Sequence, residues 1–178
     1  MNNPSGVRKA KFNGTGKARG AFGMKIYLDV CCLNRPFDDQ TQDRIHLESE
    51  AVVLILKHVR SGNWEWISSE AVDYEVGQTP NVERRHRVEA LIRYAGRTVL
   101  IEKSVVKRAF ELKAIGFGVY DALHLACAEH SYADVFLTTD DKLLRLSREC
   151  SSTLKVKVDN PLIWLKEVTE NEYRNHDF

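Results

Sequence analysis

The chain lacks any cysteine pairing pattern. Its four cysteines are the neighbours Cys31 and Cys32 and the isolated Cys127 and Cys150, which supply neither C-x-x-C pairs nor tetrahedral zinc spacing. Reduced, buried thiols in a cytosolic protein are the expectation. Long apolar runs are missing too. The longest, Ala51-Val-Val-Leu-Ile-Leu56, falls far short of the roughly 20 residues a spanning helix needs. The N-terminus has no apolar segment of the kind a secretory signal carries. No membrane partner is expected, and the expected location is cytoplasmic. Charge of one sign is also scarce: 26 Lys and Arg stand against 25 Asp and Glu, a net of +1. Any affinity for nucleic acid must therefore come from local patches. A Walker phosphate loop is absent as well. Gly14-Thr-Gly-Lys17 has Lys11 where the first glycine belongs and Ala18 where Ser or Thr belongs.

The near-neutral total hides an asymmetry. Residues 1–23 carry Arg8, Lys9, Lys11, Lys17 and Arg19, five glycines and no acid. Without those five cations the rest holds 21 basic against 25 acidic residues, a net of −4. The first stretch reads as a disordered basic tail. It is either an RNA-contacting arm or the product of a start placed too early, with Met24 as the true beginning. One domain is expected over 24–168, followed by a tail over 169–178.

From residue 24 short apolar runs alternate with amphipathic stretches. Strands are expected at 25–29, 64–68, 98–101, 135–138 and 154–158. Helices are expected at 42–61, 70–76 with Ser69 as N-cap, 82–94, 105–114, 120–130, 142–149 and 161–168. In the first long helix, Leu47, Ala51, Leu54 and Ile55 form the expected buried face. Short strands separated by helices argue for parallel βαβ units with right-handed crossovers. No repeat and no second domain is visible.

Against this framework four acids stand out. Asp29 closes the apolar run Ile26-Tyr-Leu, and Asp140 closes Phe136-Leu-Thr-Thr. Such strand ends form the ligand crevice of an open α/β sheet. Asp121 follows the Gly116-Phe-Gly118 turn, and Glu75 lies six residues after Ser69. Carboxylates gathered in one crevice repel one another unless a divalent cation sits among them, which points to a hard-metal site. Each acid also has a plainer reading as a helix cap or turn residue. Glu70, in a first helical turn, suits the helix dipole, and Asp73 is turned about 200° from Glu75. Physics alone leaves Glu70 and Glu75 close.

Taken together, Tyr27-Leu-Asp29, Ser68-Ser69 to Glu75, Asp121-Ala-Leu-His-Leu-Ala126 and Thr138-Thr-Asp140 resemble the PIN domain, in the order that family carries its motifs, over roughly residues 24–168. The stretch from Asp29 to Asp39 resembles a branch of VapC-like proteins often encoded without an evident toxin role. The resemblance implies a three-layer α/β/α sandwich around a parallel sheet. It implies a metal-dependent endoribonuclease acting on single-stranded RNA, like the toxin of a toxin–antitoxin pair. It selects Glu75 over Glu70, and it implies that Asp29, Asp121, Asp140 and Glu75 hold Mg²⁺ or Mn²⁺ and carry the catalysis. Such an ion activates water for in-line attack on a phosphodiester. The partners implied are single-stranded RNA, a cognate antitoxin and a second copy in a homodimer.

Around those four, Thr138 is a candidate support for Asp140, and Asp141 a cap or outer group. Asn34 and Arg35 lie in the loop after the first strand. There Arg35 either meets phosphate in a fork geometry or pairs with Asp38 or Asp39. His124, one turn past Asp121, reads as a surface or supporting residue. Arg84-Arg-His-Arg87 reads as a solvated face more readily than as an RNA grip. Two rival functions are weaker, the first because all four acids are intact and the second because of Cys31. One is a PIN-like binding module with little or no turnover. The other is a haloacid-dehalogenase phosphatase, which needs an Asp two residues after Asp29, where Cys31 stands.

Overall fold

The computed structural model describes residues 23–176. Nearly all of the expected basic tail, including Gly14-Thr-Gly-Lys17, lies outside the described residues. Five parallel strands, β1 (Lys25–Leu28), β2 (Glu65–Ser69), β3 (Arg97–Val99), β4 (Val135–Leu137) and β5 (Lys157–Asp159), form one sheet in the order β3-β2-β1-β4-β5. The helices are α1 (Val30–Asn34), α2 (Asp43–Arg60), α3 (Glu70–Gly77), α4 (Val82–Ile92), α5 (Lys103–Ala114), α6 (Val119–His130), α7 (Asp141–Glu149) and α8 (Pro161–His176). A 3-10 turn, Arg35–Phe37, separates α1 from α2. The expected α/β sandwich is present. Its central strands β1 and β4 are almost wholly buried runs, as strands covered on both faces must be.

Several local expectations change. Asn34 and Arg35, read as a loop after the first strand, are the end of α1 and the start of the 3-10 turn, and β3 ends at Val99 rather than at 101. The last helix continues to His176, beyond Val168 and into the stretch read as a tail. The fifth strand starts at Lys157, because residues 151–153 are a turn that delays it. The buried face of α2 is shifted from the one expected, keeping Ala51 and Ile55 but not Leu47 and Leu54. Leu47 and Leu54 are 51% and 43% exposed, whereas Glu48, Ala51, Val52 and Ile55 are buried. At about 100° per residue, that face is centred on Glu48 and Ile55, and the Leu47–Leu54 line lies roughly a quarter turn away. α2 packs on α8, and α5 on α6. Trp64 meets Trp164 edge-on beneath the α2–α8 pair, with ring centroids 5.0 Å apart.

Candidate functional site

The chain leaves β1 towards β2 and β3, then returns across the sheet to β4. The strand order therefore reverses between β1 and β4, and the crevice opens beyond the C-terminal ends of those two strands. Asp29 ends one of them and Thr138–Asp140 the other. The Asp29 N–H donates to the Leu137 carbonyl at 3.0 Å, so the two ends are stitched together. Asp29 is buried. Its Oδ1 caps α1 by accepting the Val30 N–H at 2.8 Å, and its Oδ2 accepts the Thr138 hydroxyl at 2.7 Å. The Cys31 thiol donates to the same Oδ2 at 3.1 Å. Asp140 is the N-cap of α7, with Oδ1 taking the Lys142 and Leu143 N–H groups at 2.7 and 3.1 Å. Its own N–H donates to Thr138 Oγ1 at 3.1 Å. Thr138 thus braces both acids.

Asp121 is not a cap. Gly118 holds that position, and Asp121 sits in the first turn of α6 with its carboxylate folded back towards Gly118. Burial pushes its carboxyl up, and the charges of Asp29 and Asp140 push it further in the same direction. The three aspartates therefore share one electrostatic neighbourhood. A Cβ added at Gly118 would lie 2.8 Å from Asp121 Oδ2. Gly118 has an ordinary negative φ of −60°, so Gly118→Ala tests the carboxylate's placement without backbone strain. We expect a folded protein losing under about 1 kcal/mol at the cap, with its response to Mn²⁺ weakened several-fold in a thermal titration.

Glu75 projects from α3 and is held by His124. Nε2 of the imidazole lies 2.7 Å from Glu75 Oε2, and Nδ1 lies 2.9 Å from the Tyr27 hydroxyl. Tyr27 in turn lies 2.6 Å from Ser69 Oγ, the N-cap of α3. A ring that donates Nε2–H to Glu75 leaves Nδ1 to accept from Tyr27. Burial alone would push the His124 imidazole down. The Glu75 bond and the charges of Asp29, Glu75 and Asp121 carry it above its ordinary value instead. Glu70, the physical rival of Glu75, spends its carboxylate on the Ile101 N–H at 2.7 Å and secures the chain after β3.

The donor set suits a hard cation: all four groups are carboxylates and three repel one another. Among the described residues, no three Asp, Glu, His or Cys side chains already form an ion cage. The hydrogen bonds give the reason. Asp29 and Asp140 each spend one oxygen on a helix N-terminus, and Glu75 is drawn to His124. An ion would be held by Asp29, Asp121 and Asp140, with Glu75 at its edge.

The outer candidates are committed elsewhere. Asn34 donates to the Val30 carbonyl at 3.1 Å. Arg35 pairs with Asp38 at 3.3 Å and with buried Glu48 at 2.9 Å. The second contact is close but poorly aligned, so it is an ion pair without a hydrogen bond. Arg84 grips Asp38 and the Phe37 carbonyl, both at 2.7 Å, which makes it a strut of the loop. Asp141 lies just past the cap and is held bidentately by Arg44, whose guanidinium keeps its carboxyl below the ordinary range. Beside Asp140, Asn34, Arg35, Asp38 and Arg84 line a cleft of about 450 Å³, with Cys31, Thr79 and Thr139 in its walls. Sequence reasoning did not single out Glu48 or Tyr27, and it gave His124 only a supporting part. Tyr27 and His124 share one signal, a polar group set among apolar neighbours, whereas Glu48 stands between Leu47 and Ser49 in a mostly polar stretch.

The sequence matches the PIN domain family over residues 26–149. Among solved structures it is similar to VapBC2 from Rickettsia felis bound to a DNA fragment from its promoter, at 15% identity and a TM-score of 0.49, covering 77% of this chain and 98% of that one. It is similar in the same degree to VapBC-1 from nontypeable Haemophilus influenzae, at 15% identity and a TM-score of 0.49, covering 78% and 98%. No curated protein matches it.

Proposed function

We propose that this chain, which belongs to the PIN domain family, is a metal-dependent endoribonuclease that hydrolyses phosphodiester bonds in single-stranded RNA. The observation that carries the proposal is the meeting of Asp29 and Asp140 beyond the β1–β4 junction, braced by one threonine and faced by Asp121. Mg²⁺ or Mn²⁺ bound there supplies charge neutralisation and Lewis acidity. The chain's own groups do the rest. Thr138 fixes the Asp29 carboxylate, the α7 cap fixes Asp140, and His124 holds the Glu75 carboxylate. Each is held by packed elements, which keeps the acids placed before substrate arrives. By the same family reading, a short antitoxin chain and a second copy of this protein are its protein partners. Among the described residues no helix is long and apolar enough to cross a membrane.

Two measurements test this. In a thermal titration, an ion that binds only the folded state stabilises by mass action, about 2.7 kcal/mol at a hundred times Kd. For a domain of this size that is a rise of roughly 5–10 °C, reversed by EDTA. An unchanged melting temperature at millimolar Mn²⁺ removes the metal. Incubation with generic single-stranded RNA and Mn²⁺ should give cleavage that chelation abolishes. Binding without turnover at full metal occupancy would favour the binding-module reading.

A further inference from the structure

Glu75 and Asp121 are each preceded by a tyrosine, and the two tyrosines meet. Tyr74 on α3 and Tyr120 on α6 have ring centroids 6.3 Å apart and planes 21° from parallel, and they remain 58% and 46% exposed. Their placement follows from the helices. Residues four apart on α6 share a face, so Tyr120 and His124 both look towards α3. His124 bonds Glu75 in the interior while Tyr120 stacks on Tyr74 further out. α6 runs back to the start of β4, so its first turn lies on the crevice side of the sheet. The tyrosine pair is therefore the rim of the carboxylate crevice. Exposed Val119, one residue before Tyr120, widens its apolar surface.

We propose that Tyr74 and Tyr120 form a stacking subsite for an unpaired base of single-stranded RNA, next to the bond being cut. This rests on the nuclease reading of the crevice. Near-parallel exposed rings match the flat π-face that every unpaired base presents, and such stacking tolerates any sequence. In a duplex those faces are already covered by neighbouring base pairs, so the subsite selects single strands through shape. Tyr120 directly precedes Asp121 on α6, so a strand whose phosphate reaches that acid can lay its next base on this rim.

Fluorescence anisotropy with a short labelled RNA, in EDTA so that nothing is cut, separates binding from chemistry. Tyr74→Ala and Tyr120→Ala should each weaken single-strand binding about tenfold, with Trp at either position restoring it. Affinity for a duplex of the same sequence should not move. With Mn²⁺, the Ala variants should raise KM more than they lower kcat. Single-strand affinity within twofold of wild type overturns the proposal. So does an equal loss on duplex, an absence of RNA binding by wild type, or an altered sedimentation coefficient in the Ala variants, which would make the pair a contact between copies. Tyrosine-dependent binding without Mn²⁺-dependent cleavage keeps the subsite and removes the nuclease. Cleavage indifferent to both tyrosines does the reverse.

Discussion

Asp29→Asn should abolish the proposed cleavage of single-stranded RNA while leaving the metal-free protein at least as stable as wild type. Both halves follow from the bonds at Asp29. The Asn carbonyl can keep the Val30 N–H that Oδ1 now accepts, and Asn caps a helix about as well as Asp. Its amide can donate to the Thr138 hydroxyl, which turns from donor to acceptor. Removing one negative charge also relieves Asp121, whose carboxyl is pushed up in part by Asp29. The ion, by contrast, loses an anionic ligand. Removing one preorganised electrostatic group from a site costs about 10²–10³ in rate, so activity should fall by at least about 10². Asp29→Ala behaves differently: it loses the cap, for about 1 kcal/mol, and leaves Thr138 without its acceptor. Asp140→Asn should repeat the first pattern, because it too keeps its cap. Asp141→Asn should matter little, since that side chain is exposed and tied to Arg44. Melting curves without metal and cleavage rates with Mn²⁺ decide the matter. An Asn variant at position 29 that cuts at the wild-type rate makes Asp29 a cap and nothing more.

That cap and candidate ligand can be one residue explains what was legible in the sequence. Apolar runs ending in Asp gave both β1 and β4 and the crevice beyond them, because a carboxylate at the end of a buried parallel strand is held there by capping the helix that follows. Whether Asp29 and Asp140 were caps or ligands was posed as a choice, yet two carboxylate oxygens allow one for each role. Asp121 was distinguishable only in three dimensions, since the cap position falls to Gly118, which has no side chain to announce it. The misplaced face of α2 has a related cause. Apolar periodicity alone does not mark the buried face of α2, because its centre is Glu48. A charged residue at a core position hides the period that surrounds it. His124 was hidden in the same way, between Leu123 and Leu125 on a helix whose apolar positions were sufficient to explain its burial.

Glu48→Ala should be the most destabilising single substitution near the site, lowering the melting temperature by about 10 °C. The Glu48 side chain is only 2% exposed. Its carboxylate takes Arg44 Nε at 2.9 Å, Asn160 Nδ2 at 2.8 Å and the charge of Arg35 at 2.9 Å. Through those partners α2 is tied to the 3-10 turn and to the start of α8, and through Arg44 and Asp141 to α7. Removing one partner of a buried ion pair costs about 3–5 kcal/mol, because the remaining charge stays desolvated. In a domain of this size each kcal/mol is worth roughly 2–4 °C. Glu48→Gln should fall between Ala and wild type, since its carbonyl oxygen still accepts from Asn160. Arg44→Ala should cost no more than about 1 kcal/mol, because that guanidinium is half exposed and screened. A Glu48→Ala protein as stable as wild type would mean that apolar packing of Ala51, Val52 and Ile55 holds α2 unaided. With Glu48 gone, Arg35 keeps only Asp38, which it shares with Arg84. The loop walling the cleft beside Asp140 loses its inner anchor, so RNA cleavage should fall even where metal binding persists.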